Sequence, residues 1–343
     1  MSIGGFECVS STDVPLTAWY GLAVSSTKPT LVAVSGFAPP DLEWSPVSEV
    51  HVYQLGEDDH VFRPWRVVAP KPPCTPLWFQ NLGRSRGPMS GGLAFGVPPS
   101  GGPECLFIAT WTCATGEHAG DGDVVVWDTQ AIDTGGREGM VNTLTRGSGA
   151  LRYPDLVAAQ DRLVAVATRF ILEAGVAAQL HLFQWSDADK WWLPSVTIRD
   201  GLREPCMMRA VGGGRGLLLA DGCTAVKVFR IRDGELVREF GSIERRGNVY
   251  QVWGVLPWED DENDDDSDEI GERNPGECLV LGDGGGVAWD SRRDTLLREF
   301  EHGFWYTPGG VCRVPGPEGN VVVIYDNRHT LRLLSPCVQV QNA

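Results

Sequence analysis

Lysine is scarce in this 343-residue sequence, and acidic residues outnumber basic ones. Only four of the 29 basic residues are lysines, and 45 acidic residues bring the net charge to −16. General nucleic-acid binding needs a basic surface, so this balance argues against that function. The excess of arginine over lysine has two open explanations: coding bias, or recognition of planar carboxylate and phosphate groups, which arginine binds better than lysine.

Long apolar runs and clustered cysteines are also missing. No run of about 18 apolar residues occurs, which predicts no membrane-spanning segment. The first 20 residues lack the basic start and apolar stretch of a secretory signal. The nine cysteines are scattered without a C-x-x-C pair, so structural zinc is not expected. We therefore expect a reducing, intracellular compartment: the cytoplasm, with the nucleus as the alternative.

Sustained helical periodicity is absent as well, and short strand-like segments separated by turns take its place. The 42 glycines and 23 prolines supply the turn positions. The segments fall into six groups, each long enough for a small four-stranded meander. Such a meander cannot bury both faces alone, whereas meanders packed side by side in a ring can. The pattern predicts an all-β fold.

The prediction is a single closed β-propeller domain over residues 1–343 with six four-stranded blades, and seven blades are the alternative. Residues 5–11 are predicted to add the closing outer strand to the last blade, with 337–341 as the alternative strand. The predicted blades cover about 17–70, 88–147, 153–198, 206–241, 250–300 and 307–341.

Two segments resemble the end of a WD40 repeat. Asp121 stands six residues before Trp127-Asp128, and Asp283 stands six residues before Trp289-Asp290. In that family the aspartate ends a tight turn and the following strand runs into Trp-Asp. The resemblance implies a WD-repeat-like propeller. Ala119 and Leu281 occupy the positions where the family has Ser or Thr, so its hydrogen-bonded tetrad is not expected here.

An acidic run interrupts the fifth group. Residues 259–272 hold ten of the acidic side chains, and this composition cannot bury apolar area, so residues 259–274 are predicted to form a mobile, solvated loop. The loop is expected to be dispensable for folding. Three interpretations stay open: a solubilising insertion, a docking segment for a basic partner, or a weak divalent-ion site. No register of the run matches an EF-hand loop.

Arginine and aromatic residues recur in the connections between one group of strands and the next. In a propeller these connections emerge on one face, opposite the predicted acidic loop. Arginine with aromatics is typical of protein interfaces. We predict a partner-binding surface for an acidic or phosphorylated protein segment, although these residues could also only cover the edge of the ring. This surface, called the arginine collar, comprises Trp78, Arg84, Arg86, Arg146, Arg152, Tyr153, Arg203, Arg245, Arg246 and Trp305.

Side chains that could form a catalytic site are few. The predicted innermost strands carry few chemically active side chains: Asp155, Cys206, Arg209, Cys312 and Arg313. One carboxylate neither forms an acid–base pair nor holds a metal, so we predict no catalytic residue, metal site or cofactor. The expected function is a non-catalytic protein-interaction scaffold. An axial-site hydrolase or lactonase, or a sugar-binding propeller, is the alternative.

Overall fold

A computed structural model describes most of the chain, and its architecture is all-β, as predicted. Its antiparallel sheets are arranged as in a β-propeller. The described residues are 2–16, 18–37, 48–68, 89–111, 121–130, 140–147, 151–168, 177–221, 225–241, 244–245, 248–249, 252–257, 277–282, 285–300, 310–316, 319–325 and 329–339. The predicted acidic loop, 259–274, lies outside them.

The first half of the chain forms three sheets in sequence order. Sheet 1 contains β2 (Ala18–Val24), β3 (Leu31–Phe37), β4 (Ser48–Leu55) and β5 (Phe62–Val68). Sheet 2 contains β6 (Met89–Gly96), β7 (Cys105–Trp111) and β8 (Asp121–Asp128), and both β9 (Met140–Thr143) and β10 (Leu151–Arg152) pair with β8. Sheet 3 contains β11 (Pro154–Gln160), β12 (Leu163–Thr168), β13 (Leu180–Ser186) and β14 (Trp191–Ile198).

The second half adds three more sheets of the same kind and one short hairpin. Sheet 4 contains β15 (Pro205–Val211), β16 (Gly216–Asp221), β17 (Ala225–Arg230) and β18 (Leu236–Phe240). The hairpin pairs β19 (Glu244–Arg245) with β20 (Asn248–Val249). Sheet 5 contains β21 (Val252–Pro257), β22 (Glu277–Gly282), β23 (Gly285–Asp290) and β24 (Thr295–Glu299).

Sheet 6 joins the two ends of the chain. It contains β25 (Gly310–Gly316), β26 (Gly319–Tyr325), β27 (Thr330–Gln339) and, as its outer strand, β1 (Ser2–Asp13). The pairing of β1 with β27 runs from Ser2 opposite Gln339 to Asp13 opposite Thr330. This outer strand is longer than the predicted 5–11. Residues 337–339 belong to β27 itself and do not form a separate closing strand.

The core lies between neighbouring sheets, which explains why the middle strands are almost entirely apolar. Every residue of β7, β12 and β16 is buried, because a sheet covered on both faces has no solvent side and loses the alternation of apolar and polar residues. The first strands of successive sheets contact one another, and β25 of sheet 6 contacts β2 of sheet 1 in the same way. At that last boundary Leu22 and Val34 pack with Cys312 and Leu333.

The outer rims of neighbouring sheets share a second contact. The turn between the third and fourth strands of one sheet lies against the outer strand of the preceding sheet. Arg238 of β18 donates to the carbonyl of Arg292 in sheet 5 at 2.8 Å, and Ser10 of β1 donates to the carbonyl of His60 in sheet 1 at 2.5 Å. The boundary between sheets 6 and 1 therefore uses the same kind of contact as the boundary between sheets 4 and 5.

A buried carboxylate fastens sheet 2 to sheet 1. Glu104 precedes β7 and is 5% exposed. One of its oxygens accepts hydrogen bonds from the Ser26 amide and hydroxyl at 2.8 Å and from the Thr27 amide at 3.2 Å. The other oxygen accepts from the hydroxyls of Ser25 at 2.5 Å and Thr27 at 2.9 Å. The turn between β2 and β3 thus wraps around this one side chain.

Replacement of Glu104 by alanine should therefore lower the free energy of unfolding by about 2 kcal/mol, because the buried Ser25 hydroxyl loses its acceptor while the exposed donors rehydrate. Glu104→Gln should cost less, since its amide oxygen still accepts. Thermal and urea unfolding would measure both, with the exposed Glu57→Ala as the control. Equal stability of Glu104→Ala and the parent would show that the five hydrogen bonds contribute nothing net.

Candidate partner-binding face

The arginine collar lies on connections between sheets, and the structure describes half of its members. Trp78, Arg84, Arg86, Arg246 and Trp305 lie outside the described residues. Arg146, Arg152, Tyr153, Arg203 and Arg245 are within them, and their surroundings differ.

Arg146 joins two sheets at their outer rim. Its guanidinium carbon lies 5.6 Å from the centroid of the Trp191 ring, and its Nη2 donates to the carbonyl of Asp189 at 3.4 Å. The Trp191 indole in turn donates to the carbonyl of Leu144 at 3.0 Å. Arg146 is exposed, but its contacts place it on the boundary between sheets 2 and 3, where it has a structural role.

Arg152 and Tyr153 are neighbours in the chain with opposite environments. The Arg152 side chain is 56% exposed, and its Nη2 lies 3.7 Å from Asp121 Oδ1. Tyr153 is 8% exposed and packs edge-on against Trp111 with ring centroids 5.4 Å apart. The burial of Tyr153 corrects its assignment to the collar surface: its ring belongs to the core, because an aromatic next to an exposed arginine can still point inward.

Arg203 is exposed on the connection before β15, and a buried carboxylate accepts hydrogen bonds from the backbone of this connection. The carboxylate of Asp221 accepts the backbone N–H of Arg203 at 3.1 Å and that of Glu204 at 2.6 Å. Lys227 Nζ lies 2.6 Å from the same carboxylate, and both side chains are almost completely buried. Lys227 also donates to the carbonyl of Gly201. Within the described residues, no carboxylate pairs with the Arg203 guanidinium.

Arg245 lies in β19, on the hairpin between sheets 4 and 5. Arg245 stands opposite Asn248 in the hairpin ladder, and Glu244 stands opposite Val249. A two-residue connection, 246–247, links the two strands. The described residues of this connection between sheets 4 and 5 therefore form a short antiparallel ladder.

A β-bulge recurs near the start of the innermost strand in five sheets. The extra residues lie at Tyr20, 91–92, Asp155, Cys206 and Trp253. A bulge leaves one residue without a partner in the ladder and changes the direction of its side chain, and bulges are common beside binding sites. Because each one follows a connection between sheets, the bulges share the side of the molecule that carries the collar. The residue pattern of these strands gives no signal of the bulges.

Asp123 is a buried carboxylate near the start of β8. It accepts hydrogen bonds from the Thr145 hydroxyl at 2.5 Å and the Thr145 amide at 3.1 Å. Burial raises its pKa above the usual value, and these hydrogen bonds oppose that rise. Asp123 therefore anchors the chain after β9 in the way Asp221 anchors the chain before β15.

The WD-like positions differ in their contacts. The Trp289 indole donates to Asp294 Oδ1 at 3.1 Å, whereas the buried Trp127 indole nitrogen has no hydrogen-bond partner in the part of the chain that the structure describes. Asp283 lies outside the described residues. Among the residues described, no group of three or more His, Cys, Asp or Glu side chains is placed to hold a metal ion, and no helix is long and apolar enough to cross a membrane.

Comparison with known proteins identifies the fold. No family model matches the chain, and no curated protein matches it. Among solved structures, a chain from "Crystal Structure of Mitotic Checkpoint Complex" is similar, with a TM-score of 0.56 at 11% identity, covering 98% of this chain and 94% of that chain. Together with the arrangement of the antiparallel sheets, this similarity shows a WD40-like β-propeller fold. At this identity the similarity carries the fold alone.

Proposed function

We propose that the protein is a non-catalytic interaction scaffold that binds an acidic or phosphorylated protein segment on the face carrying the arginine collar. The main support is Arg203: its backbone is fixed by Asp221 while its charged side chain stays exposed. A fixed backbone lowers the entropy that this connection loses on binding, and the arginine guanidinium can form two-point contacts with a carboxylate or phosphate. The exposed Arg152 and the hairpin that carries Arg245 also lie on connections between sheets.

We also propose that the chain is one propeller domain in which six blades close a ring. Six sheets of four or five strands support this count, as does the contact between β25 and β2. The compartment proposed is the cytoplasm or nucleus. The six described cysteines have no disulfide partner within the described residues, which is compatible with a reducing environment.

Charge reversal tests the proposed binding face. Arg203→Glu should weaken binding of acidic or phosphorylated peptides by about tenfold, corresponding to about 1.4 kcal/mol, because one charge-assisted contact becomes repulsive. The effect should shrink as salt concentration rises. Peptide-array binding followed by titration at two salt concentrations would measure it.

Arg232→Glu is the matched control, since Arg232 is exposed in the turn after β17, on the side away from the collar. This control should bind like the parent, and all variants should unfold at similar temperatures. Binding to the Arg203→Glu variant that equals parent binding contradicts the proposal, as does a parent that binds no acidic or phosphorylated peptide.

A further inference from the structure

Arg209 lies on the innermost strand of sheet 4 and crosses the interior. It belongs to β15, which pairs with β16 on one side only. Its Nη2 donates to the carbonyl of Val311 and to Cys312 Sγ, the latter at 2.8 Å. Both acceptors are in β25 of sheet 6, so the side chain reaches past sheet 5. The half-buried guanidinium therefore faces the axis around which the innermost strands are grouped.

The positive charge of Arg209 has no counter-ion among the described residues. Its hydrogen-bond acceptors there are the carbonyls of Val311 and Met208 and the sulfur of Cys312. Burial raises the pKa of the Cys312 thiol above its usual value even though the Arg209 charge opposes the rise. Cys312 is therefore a neutral thiol near pH 7 and does not balance the guanidinium.

The innermost strands are net positive in a strongly negative chain. Their ionisable carboxylate and guanidinium groups are Asp155, Arg209 and Arg313, whereas the whole chain carries a net charge of −16. A partly buried cation without a counter-ion is costly. Within the described residues, these three hydrogen bonds use three of the five N–H donors of Arg209, which leaves the Nε–H and one Nη1–H for an anionic ligand.

We propose that Arg209 forms an axial binding site for a carboxylate or phosphate group. Val311 and Cys312 hold the guanidinium in place through Nη2, and the anion accepts a charge-assisted hydrogen bond from an unused donor on Nε or Nη1. The anion is either a free ion or the acidic side chain of a protein segment that enters along the axis. The site is separate from the arginine collar and does not rest on the function proposed for that surface.

Calorimetric titration with inorganic phosphate and with acetate, at constant ionic strength set by chloride, tests this site. The parent should bind at least one of these anions at concentrations of about 10 mM or lower, and Arg209→Met should bind it at least tenfold more weakly. Arg209→Lys should be intermediate, because lysine keeps the charge but has a single nitrogen to share between the protein acceptors and the anion. Arg232→Met, which removes an exposed arginine from a turn, should match the parent.

The result that overturns the proposal is the absence of anion binding by the parent, or equal affinities for the parent and Arg209→Met. If Arg209→Met fails to fold, Arg209→Lys decides: several-fold weaker binding supports the site, and unchanged affinity overturns it. A capped triglutamate peptide distinguishes the two sources of the anion. If the peptide displaces the bound phosphate or acetate, the ligand is the acidic side chain of a protein segment. If the peptide does not displace it, the ligand is the free anion.

Discussion

Deletion of residues 1–12 should lower the free energy of unfolding by about 5 kcal/mol or more, which is comparable to the whole stability of a marginal domain. The deletion removes most of β1 and exposes the hydrogen-bonding edge of β27. It also removes the edge-on contact of Phe6 with Phe300, whose ring centroids are 5.2 Å apart, and the link from Ser10 to sheet 1.

Thermal unfolding and size-exclusion chromatography would measure this effect, with deletion of residues 341–343, beyond the end of β27, as the control. A synthetic peptide of residues 1–13 added to the truncated protein should restore part of the lost stability, because it can pair with the exposed edge of β27. An unchanged melting temperature after the N-terminal deletion would show that β1 does not hold sheets 6 and 1 together.

Replacement of Lys227 by methionine should lower the free energy of unfolding by about 3–5 kcal/mol, because it leaves the buried Asp221 carboxylate without its cation. The amides of Arg203 and Glu204 remain as its donors. The double variant Lys227→Met/Asp221→Asn should be more stable than the sum of the single effects predicts, since it removes the uncompensated charge as well.

Urea unfolding of the two single variants and the double variant gives the coupling energy directly. Lys190→Met is the control, because Lys190 is exposed in the turn between β13 and β14. The coupling should change little with salt, since a buried pair is poorly screened. A loss below about 1 kcal/mol, the size typical of exposed pairs, would mean that water reaches the pair and that Asp221 does not anchor the connection before β15.

Local residue patterns were enough to predict the strands. Runs such as those of β7 and β12 are apolar except for one threonine each, and they became strands covered on both faces. The WD-like spacing before Trp127 also predicted the fold type, because it depends on residues close together in the chain. The extension of β1 to Ser2–Asp13 exceeded the prediction, since strand ends depend on the partner strand and not on the strand's own sequence.

The candidate site was predicted less well because its contacts join distant residues. Composition placed Arg146, Tyr153 and Arg203 in one group, and packing separated them into a rim contact, a core ring and an exposed cation. Glu104 was missed because its partners lie almost 80 residues earlier in the chain. The Lys227–Asp221 pair was missed as well, although a lysine inside the apolar run of β17, six residues after an aspartate, is a sequence signal that could have indicated a buried pair.

The sequence alone determined that this protein is all-β, repetitive and acidic, because short apolar segments, turn residues and net charge are local or additive properties. Only the tertiary structure decided which charges are balanced. Arg209 and Lys227 both lie in apolar strands, yet Lys227 meets Asp221, while Arg209 meets two carbonyls and a neutral thiol in the described structure. Whether a cation holds the fold together or stays available for a ligand depends on the surrounding groups, which come from strands far apart in the chain.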